Sequence, residues 1–171
     1  ALTVPARVLR VPAEADGLDL VLAATQAAPG RRLVVICHGR PGRLFLGSRP
    51  VTARALAEHR DTLAAIGAAL SGAPIELYAC SVAAGAAGRA FVAALESATG
   101  SPAAAARGPV GGAALGGSWA LDRGRPATDP VHPQALDAAA LAALPVLLAN
   151  INWNTAGTGD WNTAGNWNPA A

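Results

Sequence analysis

Leu33-Val34-Val35-Ile36-Cys37-His38-Gly39-Arg40-Pro41-Gly42 and, further along, Pro74-Ile75-Glu76-Leu77-Tyr78-Ala79-Cys80-Ser81 are the two stretches around which the chain is organised. Each is a short apolar run rich in branched side chains, bounded by Gly, Pro or Ser, the pattern of a buried strand rather than of a helix. Each run stops at a side chain capable of chemistry, so the reactive atoms fall at the carboxyl ends of the strands. In an open parallel sheet that is the edge where ligands bind. If the strands are neighbours, His38 and Cys80 emerge side by side, as a thiol nucleophile and its base require. The blander reading of the same residues is a buried small hydrophobe and a structural hydrogen-bonder.

Working outward, residues 7–11 alternate polar and apolar and are expected to form a strand. Asp16 can cap a helix running to about Ala28, with Leu18, Leu20, Val21 and Leu22 as its apolar side and Pro29-Gly30 as its stop. With the strand to Cys37 this makes a β-α-β unit, which is expected to be parallel and right-handed. Residues 43–51 suggest a small hairpin turning at Gly47-Ser48. Thr52 can cap a helix over 53–70 whose apolar face is Leu56, Leu63, Ile66 and Leu70. After the Cys80 strand and the loop 81–85, a helix over 86–98 turns Phe91, Val92 and Leu95 inward and ends at Gly100. Residues 102–107 could form a further strand, although Ala is a poor strand former. Residues 108–117 are Gly-rich and read as a loop, 118–121 as a strand, 125–133 as a Pro-spaced connector and 134–144 as a last helix. The expectation is an α/β domain with a mostly parallel sheet, helices on both faces, and the His38 and Cys80 strands adjacent.

The end of the chain is of another kind. Ile151-Asn152-Trp153-Asn154-Thr155-Ala156-Gly157 is echoed by Asp160-Trp161-Asn162-Thr163-Ala164-Gly165-Asn166-Trp167-Asn168, and three of the four Trp residues lie here. The alternation predicts β-strands joined by Gly turns. One repeat pair cannot bury its own apolar face, since such units need about three stacked neighbours. Trp153, Trp161 and Trp167 are therefore expected to serve in docking or assembly. The division expected is a domain over 1–149 and a Trp/Asn/Gly-rich β tail over 150–171. The pattern breaks off at Pro169-Ala170-Ala171, which suggests that the natural protein continues.

Composition narrows the function classes. A chain of 171 residues suits one domain plus an appendage. The net charge is only +2 and every positively charged side chain apart from His is Arg. These arginines are scattered, which argues against nucleic acid or an anionic membrane as partner. No run reaches the roughly 18 apolar residues of a membrane span; residues 136–149 are too short and are interrupted by Pro145. Three His and two Cys show no metal-ligand spacing, so neither a metal nor a cofactor is expected. His59 and His132, in a helix and in the Pro-rich connector, are read as surface or structural. Ala1 is the kind of small residue that signal-peptide cleavage leaves, as is many a proteolytic end, and the expected location is secreted or on the bacterial cell surface.

A strand ending in His-Gly, a helical segment, then a strand ending in Ala-Cys resembles the caspase-like (clan CD) cysteine peptidases. More closely, His38-Gly39-Arg40-Pro41-Gly42-Arg43-Leu44-Phe45-Leu46-Gly47, Leu77-Tyr78-Ala79-Cys80-Ser81-Val82-Ala83-Ala84-Gly85 and Gly116-Gly117-Ser118-Trp119-Ala120-Leu121 are similar to the bacterial domain DUF4347, found near the start of large secreted or surface proteins. The likeness covers roughly residues 5–145. Cys37 stands where that family usually has Ser, and nothing matches the Gln-Ala-Cys-Arg-Gly of true caspases. The resemblance implies a three-layer αβα sandwich, with His38 as base, Cys80 as nucleophile, and the backbone N–H groups of Gly39 and Cys80 as an oxyanion hole. The activity implied is a cysteine endopeptidase acting on a polypeptide substrate, plausibly its own parent chain. The alternative is a non-catalytic head or subunit of an extracellular filament or adhesin, forming a homo-polymer through the Trp-rich tail by strand donation. Cys37 reads as a small buried residue; strand spacing would also permit a Cys37–Cys80 disulfide that blocks the nucleophile.

Overall fold

The computed structural model describes residues 6–122, 137–148, 151–153 and 167–169. The protein is a mixed α/β structure whose centre is a parallel three-stranded sheet, formed by β1 (Leu33–Ile36), β5 (Ile75–Tyr78) and β6 (Ala103–Ala105) in the order β1-β5-β6. β5 is central and buried along its whole length, which is why it reads as an unbroken apolar run around Glu76. The register pairs Leu33 with Ile75 and Ile36 with Tyr78, so the apolar runs that lead to Cys37 and Cys80 are neighbours, but β1 ends at Ile36 and His38 falls in a different strand.

Between β1 and β5 the chain makes a second sheet, an antiparallel meander of β2 (His38–Arg40), β3 (Arg43–Phe45) and β4 (Pro50–Thr52). The β2–β3 turn has Pro41 followed by Gly42 at φ 70, the residue order that a type II turn demands. The hairpin expected over 43–51 is therefore the second limb of a larger unit that starts at His38.

Asp16 caps α1 (Gly17–Ala27), its carboxylate accepting from the Leu18 N–H at 2.9 Å. Thr52 likewise caps α2 (Ala53–Glu58). The single helix expected over 53–70 is broken at His59, whose φ of −105 and ψ of 33 leave the helical region before α3 (Arg60–Leu70) begins. The imidazole Nδ1 lies 2.9 Å from the Ala55 carbonyl, which also accepts the His59 backbone N–H. His59 is structural, as read. α4 (Gly85–Thr99) ends at Gly100 in the left-handed conformation, and the strand expected within 102–107 is present as β6.

Leu18 and Val21 of α1, Leu56 of α2, Leu63, Ile66 and Leu70 of α3, and Phe91, Val92 and Leu95 of α4 share one core with Val35, Ile75, Leu77, Ala103 and Ala105. These helices thus lie on one face of the sheet instead of on both. The strand order explains it: two crossovers that step in the same direction, each right-handed, leave α3 and α4 on the same side. The other face carries Tyr78, Cys80, Ala104 and Ala106, covered by Val110, Trp119, Leu121, Leu147 and Leu148. Of the three layers expected, the described residues form the sheet and one helical layer, with extended chain and the short α5 (Ala138–Ala142) beyond.

Two expected strands are absent. Residues 7–11 form no ladder, and Val8 is 71% exposed. Residues 118–120 are likewise outside any strand. In the tail, β7 (Ile151–Trp153) and β8 (Trp167–Pro169) pair antiparallel, with Trp153 opposite Trp167. Trp161 and His132 lie outside the described residues. No helix among the described residues is long and apolar enough to cross a membrane.

Candidate active site

Backbone hydrogen bonds hold the segment that carries His38 beside the loop that carries Cys80. The Cys37 N–H donates to the Tyr78 carbonyl at 3.2 Å, and the Gly42 N–H donates to the Val82 carbonyl at 3.0 Å. Residues 38–41 are thereby tied at both ends alongside 79–81. Between the ties, a Cβ built on Gly39 would lie 2.7 Å from Ala79 Cβ and 2.9 Å from the Cys80 carbonyl oxygen. Only a glycine lets β2 approach so closely.

β1 ends at Ile36 opposite Tyr78, and His38, two residues on, opens β2 in the antiparallel sheet. Cys80 packs on the face of Tyr78, with Val34 beside it, whereas His38 is exposed. Cys37, one residue earlier, belongs to the helix-covered face with Val35 and Leu77. Both cysteines are free, so the disulfide alternative is not what the structure holds. Cys37 is the small, partly buried residue first read, and burial pushes its thiol up to about 12, partly offset by a backbone hydrogen bond from Phe45.

Cys80 is 5% exposed. Its Sγ accepts the Val110 N–H at 3.1 Å and, as a thiol, lies 3.6 Å from the Val110 carbonyl to which it donates. Burial raises its pKa, opposed by backbone hydrogen bonds from Val110 and Leu148. The residue therefore rests as a thiol and needs a base to become the reactive thiolate. His38 is exposed and its ring makes no hydrogen bond among the described residues. Immediately after Cys80, Ser81 takes the left-handed conformation at φ 55. This is an uncommon state for a residue with a Cβ, and it turns the chain sharply from the strand end toward α4. The Cys80 N–H has no backbone partner among the described residues.

Around this point lie residues that the sequence reading did not assign to the site. Trp119 sits beside Tyr78 with ring centroids 6.2 Å apart, and its buried indole N–H has no hydrogen-bond partner among the described residues. Val110 and Leu148 bond the thiol through their backbones, so no side-chain signal could have marked them. Deeper on the same face, Glu76 is 2% exposed. It meets Arg32 Nη1 at 3.0 Å and accepts the Tyr78 hydroxyl at 3.4 Å. The buried Glu76 and the more exposed Arg32 lie toward the start of β5, four residues before Cys80.

A family model described as a domain of unknown function, DUF4347, matches residues 2–148. The chain belongs to the DUF4347 family. The match takes in β1 to β6, α1 to α5 and every residue of the candidate site, and it stops short of the β7–β8 tail. No curated protein and no solved structure matches the chain. Among the described residues no group of three His, Cys, Asp or Glu side chains could hold a metal ion.

Proposed function

We propose that this DUF4347 domain is a caspase-like cysteine peptidase module of a secreted or surface-displayed bacterial protein, with polypeptide, including its own parent chain, as substrate. One observation supports this reading: the Cys37–Tyr78 and Gly42–Val82 backbone bonds hold residues 38–41 beside residues 79–81, the loop that carries Cys80. In the reaction, His38 takes the Cys80 proton and the sulfur bonds to the scissile carbonyl carbon. The N–H groups of Gly39 and Cys80 donate to the developing oxyanion, each worth about 3–4 kcal/mol in such a role. The C–N bond then breaks, His38 returns its proton to the leaving amine, and water hydrolyses the thioester. The three-layer caspase-like arrangement is part of this proposal.

The test is covalent labelling with a peptidyl acyloxymethyl ketone, followed by mass spectrometry. Labelling of Cys80 that disappears in a His38→Ala variant supports the dyad; equal labelling in both refutes it. A second reading, a structural subunit assembled through the tail, draws on the β7–β8 ladder, which forms a separate two-stranded sheet. Two strands are marginal alone and gain stability by adding a partner strand.

A further inference from the structure

Residues 144–148 run antiparallel to residues 110–112, directly over the Cys80 thiol. Gly111 and Leu147 form an isolated bridge. The Gly112 N–H donates to the Val146 carbonyl at 2.8 Å and the Leu148 N–H donates to the Val110 carbonyl at 2.8 Å. Val110 is the residue whose N–H and carbonyl both meet the Cys80 sulfur. The bed under this segment is made of glycines. A Cβ at Gly111 would overlap the Val146 oxygen, one at Gly112 would overlap the Leu144 oxygen, and one at Gly117 would lie 2.6 Å from Leu147 Cδ2. The segment itself is only partly interred, since Leu144 and Val146 keep 42% and 41% exposure.

A glycine-rich bed, paired by main-chain bonds, is how a fold receives an extended strand with little regard to its sequence. A segment held in this way beside a thiol occupies the place a substrate strand would need. We propose that residues 144–148 are a displaceable strap that keeps Cys80 latent, and that the glycine-lined bed beneath them is the groove for an extended, apolar polypeptide. The inference rests on Cys80 being the nucleophile of the proposed peptidase. It adds that the resting chain is its own inhibitor.

Gly112→Ala tests it in the full chain. Gly112 has φ −65 and ψ 136, which any L residue accepts, so the added methyl acts only by pushing the strap away. Alkylation by iodoacetamide, followed separately at the two cysteines by mass spectrometry, reads the result. The rate at Cys80 should rise by about tenfold, the population change expected when one methyl is forced into a packed contact. The rate at Cys37, on the far side of the sheet, should stay as it was. Leu148→Pro, which removes the strap's donor to Val110, should act in the same direction. A capped peptide Leu-Pro-Val-Leu-Leu, the sequence of residues 144–148, should slow Cys80 alkylation in the opened variants. Unchanged Cys80 rates in both variants would overturn the strap, as would a parallel rise at Cys37, which marks a core element. Failure of the peptide to protect would overturn the groove. A His38→Ala control separates the two ideas: loss of His38 dependence sinks the dyad while leaving the strap measurable.

Discussion

Replacing Gly39 by Ala isolates the contact that holds β2 against the Cys80 loop. The backbone at Gly39 is not left-handed, so the new methyl brings no conformational strain of its own. It would instead stand 2.7 Å from Ala79 Cβ and 2.9 Å from the Cys80 oxygen. Carbon atoms settle at about 3.5–4.0 Å, so β2 must retreat by roughly 1 Å. Overpacking of this size costs about 1–3 kcal/mol. Replacing glycine returns about 0.4–1 kcal/mol through the unfolded chain, leaving a net loss near 1–2 kcal/mol. The larger effect falls on the site, because a misplacement of about 1 Å between reacting groups can cost on the order of a hundredfold in rate. Gly108→Ala is the matched control: nothing lies within 4 Å of its Cβ position, and such a substitution should stay within about 0.5 kcal/mol. Urea unfolding and His38-dependent labelling of Cys80 measure both terms. If Gly39→Ala behaves like Gly108→Ala in both assays, the close approach of β2 to the Cys80 loop does not position the dyad.

Other consequences can be checked directly. Thiol titration of the unfolded, non-reduced protein should find both Cys37 and Cys80 free, because they belong to opposite faces of the sheet; absence of free thiol would contradict the fold. Stability should be insensitive to the Cys37 thiol below pH 9 and should fall from there to about 12, since the folded state keeps a proton that the unfolded chain has lost. Tyr78, whose pKa is also raised, first by burial and then by Glu76, steepens the loss from about pH 10 upward. A Cys37→Ala variant should lose stability less steeply just above pH 9, and an identical slope would show that burial of this thiol does not matter. Removing the residues after Asn150 should leave melting behaviour and Cys80 labelling unchanged, because the family match ends at residue 148. The structural-subunit reading further requires that truncation to lower the sedimentation coefficient of any assembly.

What could be read in advance was whatever is encoded locally. The apolar runs before Cys37 and Cys80, the caps at Asp16 and Thr52 and the stop at Gly100 all act within a few residues, and each reappears in the structure. Residues 7–11 show why alternation alone is insufficient. A strand exists only where a neighbour offers a ladder, and none is offered there. His59 shows a second limit: its apolar neighbours keep helical spacing across the position, while its own ring and backbone N–H both turn to the Ala55 carbonyl. The covering of Cys80 was the least legible part. It depends on Gly111 meeting Leu147 across a long stretch of intervening chain, through main-chain groups that every residue possesses.

The two backbone ties on either side of His38 have an energetic meaning. A base carried on a free loop must be gathered into place during each turnover, with several residues each losing about 1–2 kcal/mol of backbone freedom. Here residues 37 and 42 are already fastened to residues 78 and 82, so that ordering was completed when the chain folded. What is left to fix is the imidazole's own pair of torsions, a matter of about 0.5–1.5 kcal/mol. Under the proposed dyad, an imidazole on this pre-ordered backbone would stay exposed to water at rest and need only its own torsions set to act.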